Sequence, residues 1–265
     1  MKNVYSLAFY RHHRSAYEDP NCGEAQGRYF VNYLATVIRA FHLVYPDWEL
    51  RIHHDDRVKE YPYWRALVKM DAAGLLRLVD FGVSDSLCGI RGMMSRWRPV
   101  FDDDVRFVAM RDVDSLPQPR ERVMLEDFMS SGAVIHGILD SQSHSGPLMG
   151  GMVAVDAQQF KKRTEHKTLE SLMKAGEPLN LDYNVHGSDQ RFLNGAVYPY
   201  LGPFTYIHAK RNLGYTAMVT RPVAPQVHPL DFVAHCGGAF SVDQAAEILA
   251  AHPPKNLALI EECER

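Results

Sequence analysis

Asp112 and Asp114 stand one residue apart at the end of an apolar run, Val105-Arg-Phe-Val-Ala-Met-Arg111, and are followed by Ser115. In an extended strand alternate side chains share a face, so both carboxylates point into one small volume beyond the strand's end. Two like charges that close repel, and a divalent cation between them removes the repulsion. Mg²⁺ or Mn²⁺ held by carboxylate oxygen while it grips a diphosphate is the commonest use of such a pair. A surface turn is the plainer use, because Asp and Ser are turn residues. The surrounding sequence has to separate the two.

The elements ahead of the pair alternate. Val4-Tyr-Ser-Leu-Ala-Phe-Tyr10 reads as a buried strand that enters a polar loop containing Arg11 and His13. Tyr29, Tyr33, Val37, Ile38 and Phe41 recur at helical spacing over Arg28 to Val44. Trp48 to His53 predicts a second strand, Tyr61 to Leu75 a second helix and Arg77 to Phe81 a third strand. A β-α-β-α-β order predicts an α/β fold with a mostly parallel sheet flanked by helices, whose ligands bind beyond the carboxyl ends of the strands. Gly89 to Val100 reads as a helix that carries Arg96 and Arg98 toward the same end.

Beyond the pair, Ser115 onward starts a helix, and Gly132 to Leu139 is a strand that delivers Asp140, with His144 shortly after. Met149-Gly-Gly-Met152 precedes the apolar Val153-Ala-Val155, and paired glycines there suggest a close backbone approach. Val155 to Ala175 carries a helix with a polar face. Ser188 is placed as a helix cap ahead of Asp189 and Gln190. The chain then reads as irregular up to Phe232-Val-Ala-His-Cys-Gly-Gly238, and Ser241 to Ala251 is a capped helix.

Composition sets outer limits. The 265 residues are 46% hydrophobic and 23% charged, ordinary for one globular domain, and the formal charge of −3 argues against a broad basic nucleic-acid surface. Cys22, Cys88, Cys236 and Cys263 show no Cys-x-x-Cys pairing, so neither a zinc site nor a disulfide framework is expected. The N-terminus lacks the features of a signal peptide and no stretch is long and apolar enough for a membrane span. The expectation is a cytoplasmic protein without an integral membrane segment, peripheral membrane association being left open.

Taken together, the strand leading to Arg111-Asp-Val-Asp-Ser115, the later Gly-Gly segment, Asp189-Gln190 and His235-Cys-Gly resemble the GT-A glycosyltransferases. Within them the chain is similar to a bacterial and phage-type group carrying Arg-Asp-x-Asp-Ser, an Asp followed by His, and Met-Gly-Gly-Met. It also resembles retaining galactosyl-type enzymes whose third metal ligand lies in a His-x-Cys-Gly sequence, here one residue shorter. The resemblance covers residues 1 to about 240. It implies one Rossmann-like GT-A domain over 1–265, with 1–115 the nucleotide-binding half, 116–265 the acceptor half, and a smaller irregular region on the acceptor side.

The resemblance also implies roles. Asp112 and Asp114 would bind Mn²⁺ or Mg²⁺ with His235, Asp112 lying near the donor as well. Tyr10, Arg11, His13 and Arg96 would hold the nucleotide sugar. His144, Met149, Gly150, Gly151 and Gln190 would line the sugar pocket, and Asp140 and Asp189 would bind sugar hydroxyls or take the acceptor proton. The activity implied is metal-dependent transfer from a nucleoside-diphosphate sugar, a UDP-sugar favoured over a GDP-sugar. The acceptor would be a saccharide or glycoconjugate, as in polysaccharide biosynthesis, with a modified base of phage DNA a minor option. The alternatives are a nucleotide-sugar hydrolase, a nucleotidyltransferase and a non-catalytic carbohydrate-binding protein.

Overall fold

The computed structural model describes residues 1–10, 22–82, 90–142, 144, 146–181, 187–211, 213–238 and 240–265, with the backbone alone for 22–32 and 90–91. The strands are β1 Lys2–Phe9, β2 Glu49–His54, β3 Arg77–Asp80, β4 Val105–Arg111, β5 Ile135–Leu139, β6 Val153–Asp156, β7 Thr205–Ala209 and β8 Val219–Pro222. They form one sheet in the order β3-β2-β1-β4-β6-β5-β7-β8. Pairing is parallel except at β6, which runs antiparallel to both β4 and β5. The helices are α1 Cys22–Val44, α2 Trp64–Ala72, α3 Ile90–Met94, α4 Pro119–Ser131 and α5 Ala157–Arg163, then α6 Leu169–Lys174, α7 Ser188–Phe192, α8 Tyr198–Leu201, α9 Val242–Ala251 and α10 Leu257–Glu264.

Alternation along the central strands supplies two cores. Tyr5, Leu7, Phe107 and Ala109 face one side, where α1, α2, α4, α9 and α10 contribute Ile38, Phe41, Leu67, Phe128, Leu249 and Ile260. Val4, Val108, Met110 and Val155 face the other, against Trp97, Phe160, Leu172 and Phe192. Each large apolar side chain so buried stabilises the fold by about 1.5–3 kcal/mol. Cover on both faces is why these strands read as continuous apolar runs.

Four local expectations differ from the structure. The predicted helix from Val155 to Ala175 is two, because Asp156 caps α5 through Gln159 N and Thr168 opens α6 in a capping box with Ser171. Gly187, at φ 79°, is the residue before α7, so Ser188 sits buried inside the helix instead of capping it. The stretch read as irregular contains β7 and β8. Arg98 reaches Glu170 at 4.0 Å and not the two carboxylates that Arg96 takes.

His53, on β2, is 1% exposed and neither ring nitrogen has a partner among the described residues. Burial first, then the nearby Arg51 and Arg98 charges, holds its pKa down to about 3. Below pH 6.5 the unfolded chain takes up the proton that the folded chain refuses, so stability falls as pH falls. Between pH 6.5 and 5 the loss is on the order of 2 kcal/mol from this residue. Urea denaturation at pH 7, 6 and 5 should show His53→Leu with the shallower dependence; parallel curves would contradict the burial argument.

Candidate active site

Arg111, the last residue of β4, is wholly buried and its Nε donates to Glu121 Oε1 at 2.9 Å. Tyr45 donates to the same oxygen at 2.9 Å, and Arg111 Nη1 donates to Val153 O at 2.8 Å. The end of β4 is therefore pinned to the start of β6. The next residue, Asp112, turns to the opposite face, where the 3₁₀ segment Ser95–Phe101 presents Arg96.

Arg96 is 1% exposed and forks between two carboxylates, pairing through Nη1 with Asp112 Oδ1 and through Nη2 with Asp189 Oδ2 at 3.0 Å. Asp189 comes from α7. The pairing gathers residues from three remote parts of the chain, and the planar guanidinium is the side chain suited to it. Gly150 and Gly151, at the turn into β6, back directly onto this cluster. A Cβ on Gly151 would fall well inside van der Waals contact of the Asp112 carboxylate, and one on Gly150 would strike Asp189 Oδ2 and Arg96 Nη2. The close approach expected of the paired glycines is thus made to carboxylates.

Gly151→Ala should cost about 1–3 kcal/mol of stability, as overpacking does. Gly202→Ala is the matched control, since a Cβ there meets nothing nearer than 3.5 Å. Thermal denaturation compares them, and equal midpoints would mean that the glycine is dispensable.

Tyr10 stands beside the cluster. Its hydroxyl is pushed well above the usual tyrosine range by burial, with Arg96 opposing and Asp189 and Asp112 adding to the shift. Its ring fills the space that a Cβ on Gly92 would need. Arg11 and His13 lie outside the described residues. Asp114 follows in the turn closed by Ser115 N to Asp112 O at 3.1 Å and is partly exposed. Gln190, also partly exposed, accepts at its carbonyl from Asn194 Nδ2 at 2.8 Å.

A second group gathers at the ends of β5 and β7. Asp140 is wholly buried; its Oδ2 accepts from Cys236 N at 2.6 Å and lies 3.4 Å from Arg120 Nη2. Arg120 Nη2 also donates to Val233 O at 2.9 Å, while Asp231 accepts from Arg120 N, Val227 N and His228 N at 2.9–3.0 Å. The segment leading to His235 is therefore fastened at both ends. The His235 ring packs nearly perpendicular to His144 at 5.7 Å between centroids, and Gly238 backs onto it, a Cβ there falling 2.8 Å from Nε2. The His144 pKa is lowered by burial, with Asp140 opposing and His235 and Lys210 reinforcing. Met152, packed with Cys236 and touching Gly237, joins the two groups, and Met149 is half-buried beside it.

Sequence reasoning missed Arg111, Glu121, Arg120 and Asn194. Asn194 Oδ1 accepts from Leu148 N at 3.1 Å and its Nδ2 donates to Leu148 O at 2.8 Å, which ties Leu148 to the segment just after α7. An asparagine between Leu193 and Gly195 was its only signal. The donors Asp112, Asp114 and His235 are hard oxygen and imidazole ligands that suit Mn²⁺ or Mg²⁺. Among the described residues, however, no group of three His, Cys, Asp or Glu side chains is disposed around one ion.

The fold is of the GT-A glycosyltransferase type, α/β with a mostly parallel sheet flanked by helices. The galactosyltransferase LgtC, solved with donor and acceptor sugar analogues, is similar at a TM-score of 0.52 and 14% identity over 95% of this chain and 96% of LgtC. An active-site glutamine-to-glutamate variant of LgtC gives 0.51 and 14%, with 96% of each chain covered. The glycosyltransferase GlyE of Streptococcus pneumoniae gives 0.47 and 13%; 79% of this chain is matched, and the chain spans 45% of GlyE's length. No family model matches the sequence, and neither does any curated protein. Among the described residues no helix is long and apolar enough to cross a membrane.

Proposed function

We propose that the chain is a glycosyltransferase that moves a sugar from a nucleoside-diphosphate donor to a hydroxyl of a saccharide or glycoconjugate acceptor. The observation that carries this reading is the Arg96, Asp112 and Asp189 cluster at the carboxyl end of β4, with Gly150 and Gly151 pressed against it. Such a pole is where an open α/β sheet takes its ligand. The glycines let the two carboxylates pack directly on the backbone, and the buried arginine sets the orientation of both.

In this reading Asp112 and Asp114 would hold Mn²⁺ or Mg²⁺, and His235 would complete the protein ligands. When bound, the cation would stabilise the charge that develops on the departing diphosphate. Tyr10, continued by Arg11 and His13, flanks the nucleotide of a UDP-sugar. Arg96 reaches the donor beside Asp112. Asp189, whose side chain is 11% exposed, binds the donor sugar's hydroxyls, and Gln190, Met149 and His144 are the further sugar contacts. Asp140, buried against Cys236 N and Arg120, holds the loop that carries His235 in place; it does not meet the acceptor.

A thermal-shift screen of UDP- and GDP-sugars with and without Mn²⁺ tests the proposal. A rise in Tm that needs both donor and metal is expected, and His235→Ala should weaken the metal dependence. No response to any nucleotide sugar would refute the reading. Turnover of the donor by water alone, with no acceptor used, would replace transfer by hydrolysis.

A further inference from the structure

The carboxyl ends of β7 and β8 frame a cleft of about 480 Å³ that the roles above leave unused. Its size is that of a small-molecule site. Arg120, Lys210, Gln226, Phe232 and Ala234 are among its lining residues, and no Asp or Glu lines it among the described residues. Lys210 follows the last residue of β7 and is exposed; its Nζ donates to Ala234 O at 3.1 Å. It makes no ion pair among the described residues. Arg120 is buried beneath, paired with Asp140, and adds no net charge of its own. Gln226 Nε2 donates to Val233 O at 3.0 Å, a backbone contact that an incoming oxyanion can replace. Ala234 immediately precedes His235, so the cleft shares a wall with the proposed transfer site.

We infer that this cleft receives the acceptor and that the acceptor is an acidic saccharide, its phosphate or carboxylate seated at Lys210. The inference rests on the proposed transferase reading and names its second substrate. A cation with no ion pair, over a wall with no acid, both among the described residues, favours an oxyanion, and the cation's place at a strand end orients the anionic sugar toward His144 and His235. Phe232 supplies an apolar surface for the sugar ring.

Calorimetric titration of the full chain, saturated with UDP and Mn²⁺ so that the diphosphate position is filled, tests this with glucose 6-phosphate, glucuronate and glucose as probes. At least one anionic sugar should bind about tenfold or more tightly than glucose, and which of the two it is tells phosphate from carboxylate. Lys210→Ala should bring that sugar to the level of glucose, Lys210→Arg should restore it, and UDP affinity should stay unchanged in both variants. Anionic sugars no tighter than glucose, or a preference that survives Lys210→Ala, overturn the inference while leaving donor binding intact. Binding of acidic sugars through Lys210 in a chain that takes no UDP overturns the transferase reading and, with it, the assignment of the cleft to an acceptor.

Discussion

Asp112→Asn combined with Asp114→Asn is expected to abolish Mn²⁺-dependent binding of a UDP-sugar and to lower kcat/KM for transfer by about 10³-fold or more. Removing one group that stabilises developing charge costs roughly 10²–10³-fold in rate, and here the loss is that of the whole ion. Asparagine keeps the shape and one oxygen of each side chain, so the turn after β4 is retained. It removes the charge that draws the cation and the charge that pairs with Arg96. Circular dichroism should report an intact fold, with some loss of stability from Arg96. Undiminished transfer, measured at saturating Mn²⁺, would show that the pair belongs to a surface turn and that the chemistry lies elsewhere.

Arg96→Ala should act in two opposed directions. Stability should fall by about 3 kcal/mol, because a buried ion pair that loses one partner leaves the other charge uncompensated. The full range for such losses is about 3–5 kcal/mol, and the low end applies because the Asp112 side chain is 33% exposed and water relieves part of the cost. Affinity for Mn²⁺ should rise at the same time, since the guanidinium no longer competes with the ion for the Asp112 carboxylate. Donor turnover should nevertheless drop, the arginine being the group that orients Asp112 and Asp189 together. Urea denaturation and a Mn²⁺ titration followed by electron paramagnetic resonance separate the two effects. A variant as stable as the parent would mean that Arg96 does not bridge the carboxylates.

The strands that position this cluster were legible because both faces of the sheet are buried, which turns β1, β4 and β5 into apolar runs whose ends fall on Tyr10, Asp112 and Asp140. β7 escaped because Thr205 and His208 break its apolar pattern. Its polarity is absorbed by a buried contact, His136 Nε2 to His208 Nδ1 at 2.8 Å, made with β5 across the sheet. β8 escaped because it is a mostly exposed edge strand ending on Pro222, where no ladder donor is needed. The direction of β6 could not be read from composition, since a buried strand looks alike from either end.

At the site, residue type was readable and partnership was not. Asp112, Asp189, Gly150 and Gly151 were each visible as unusual residues, yet nothing local says that one arginine joins the first two or that the glycines back onto them. Arg96 and Arg98 look equivalent two residues apart. A 3₁₀ turn sends one to the two carboxylates and the other to Glu170, and that choice is made by packing over the whole sheet. Asp140 drew attention as an acid at a strand end, and its partner Arg120 sits in α4, where sequence periodicity showed only an ordinary helix.

The reversal of β6 also bears on how such a site can diverge. A strand that runs against its neighbours begins at the pole where they finish, so β5 and β6 are joined across that pole without a crossover helix. The one connection from Asp140 to Met152 therefore carries His144, Met149 and both glycines in a single contiguous stretch. An exchange of that stretch between homologous chains would recast one whole side of the ligand pole while every parallel crossover stayed untouched. The stretch's far end would still have to match Asp112 and Asp189, because Gly150 and Gly151 pack directly against those carboxylates.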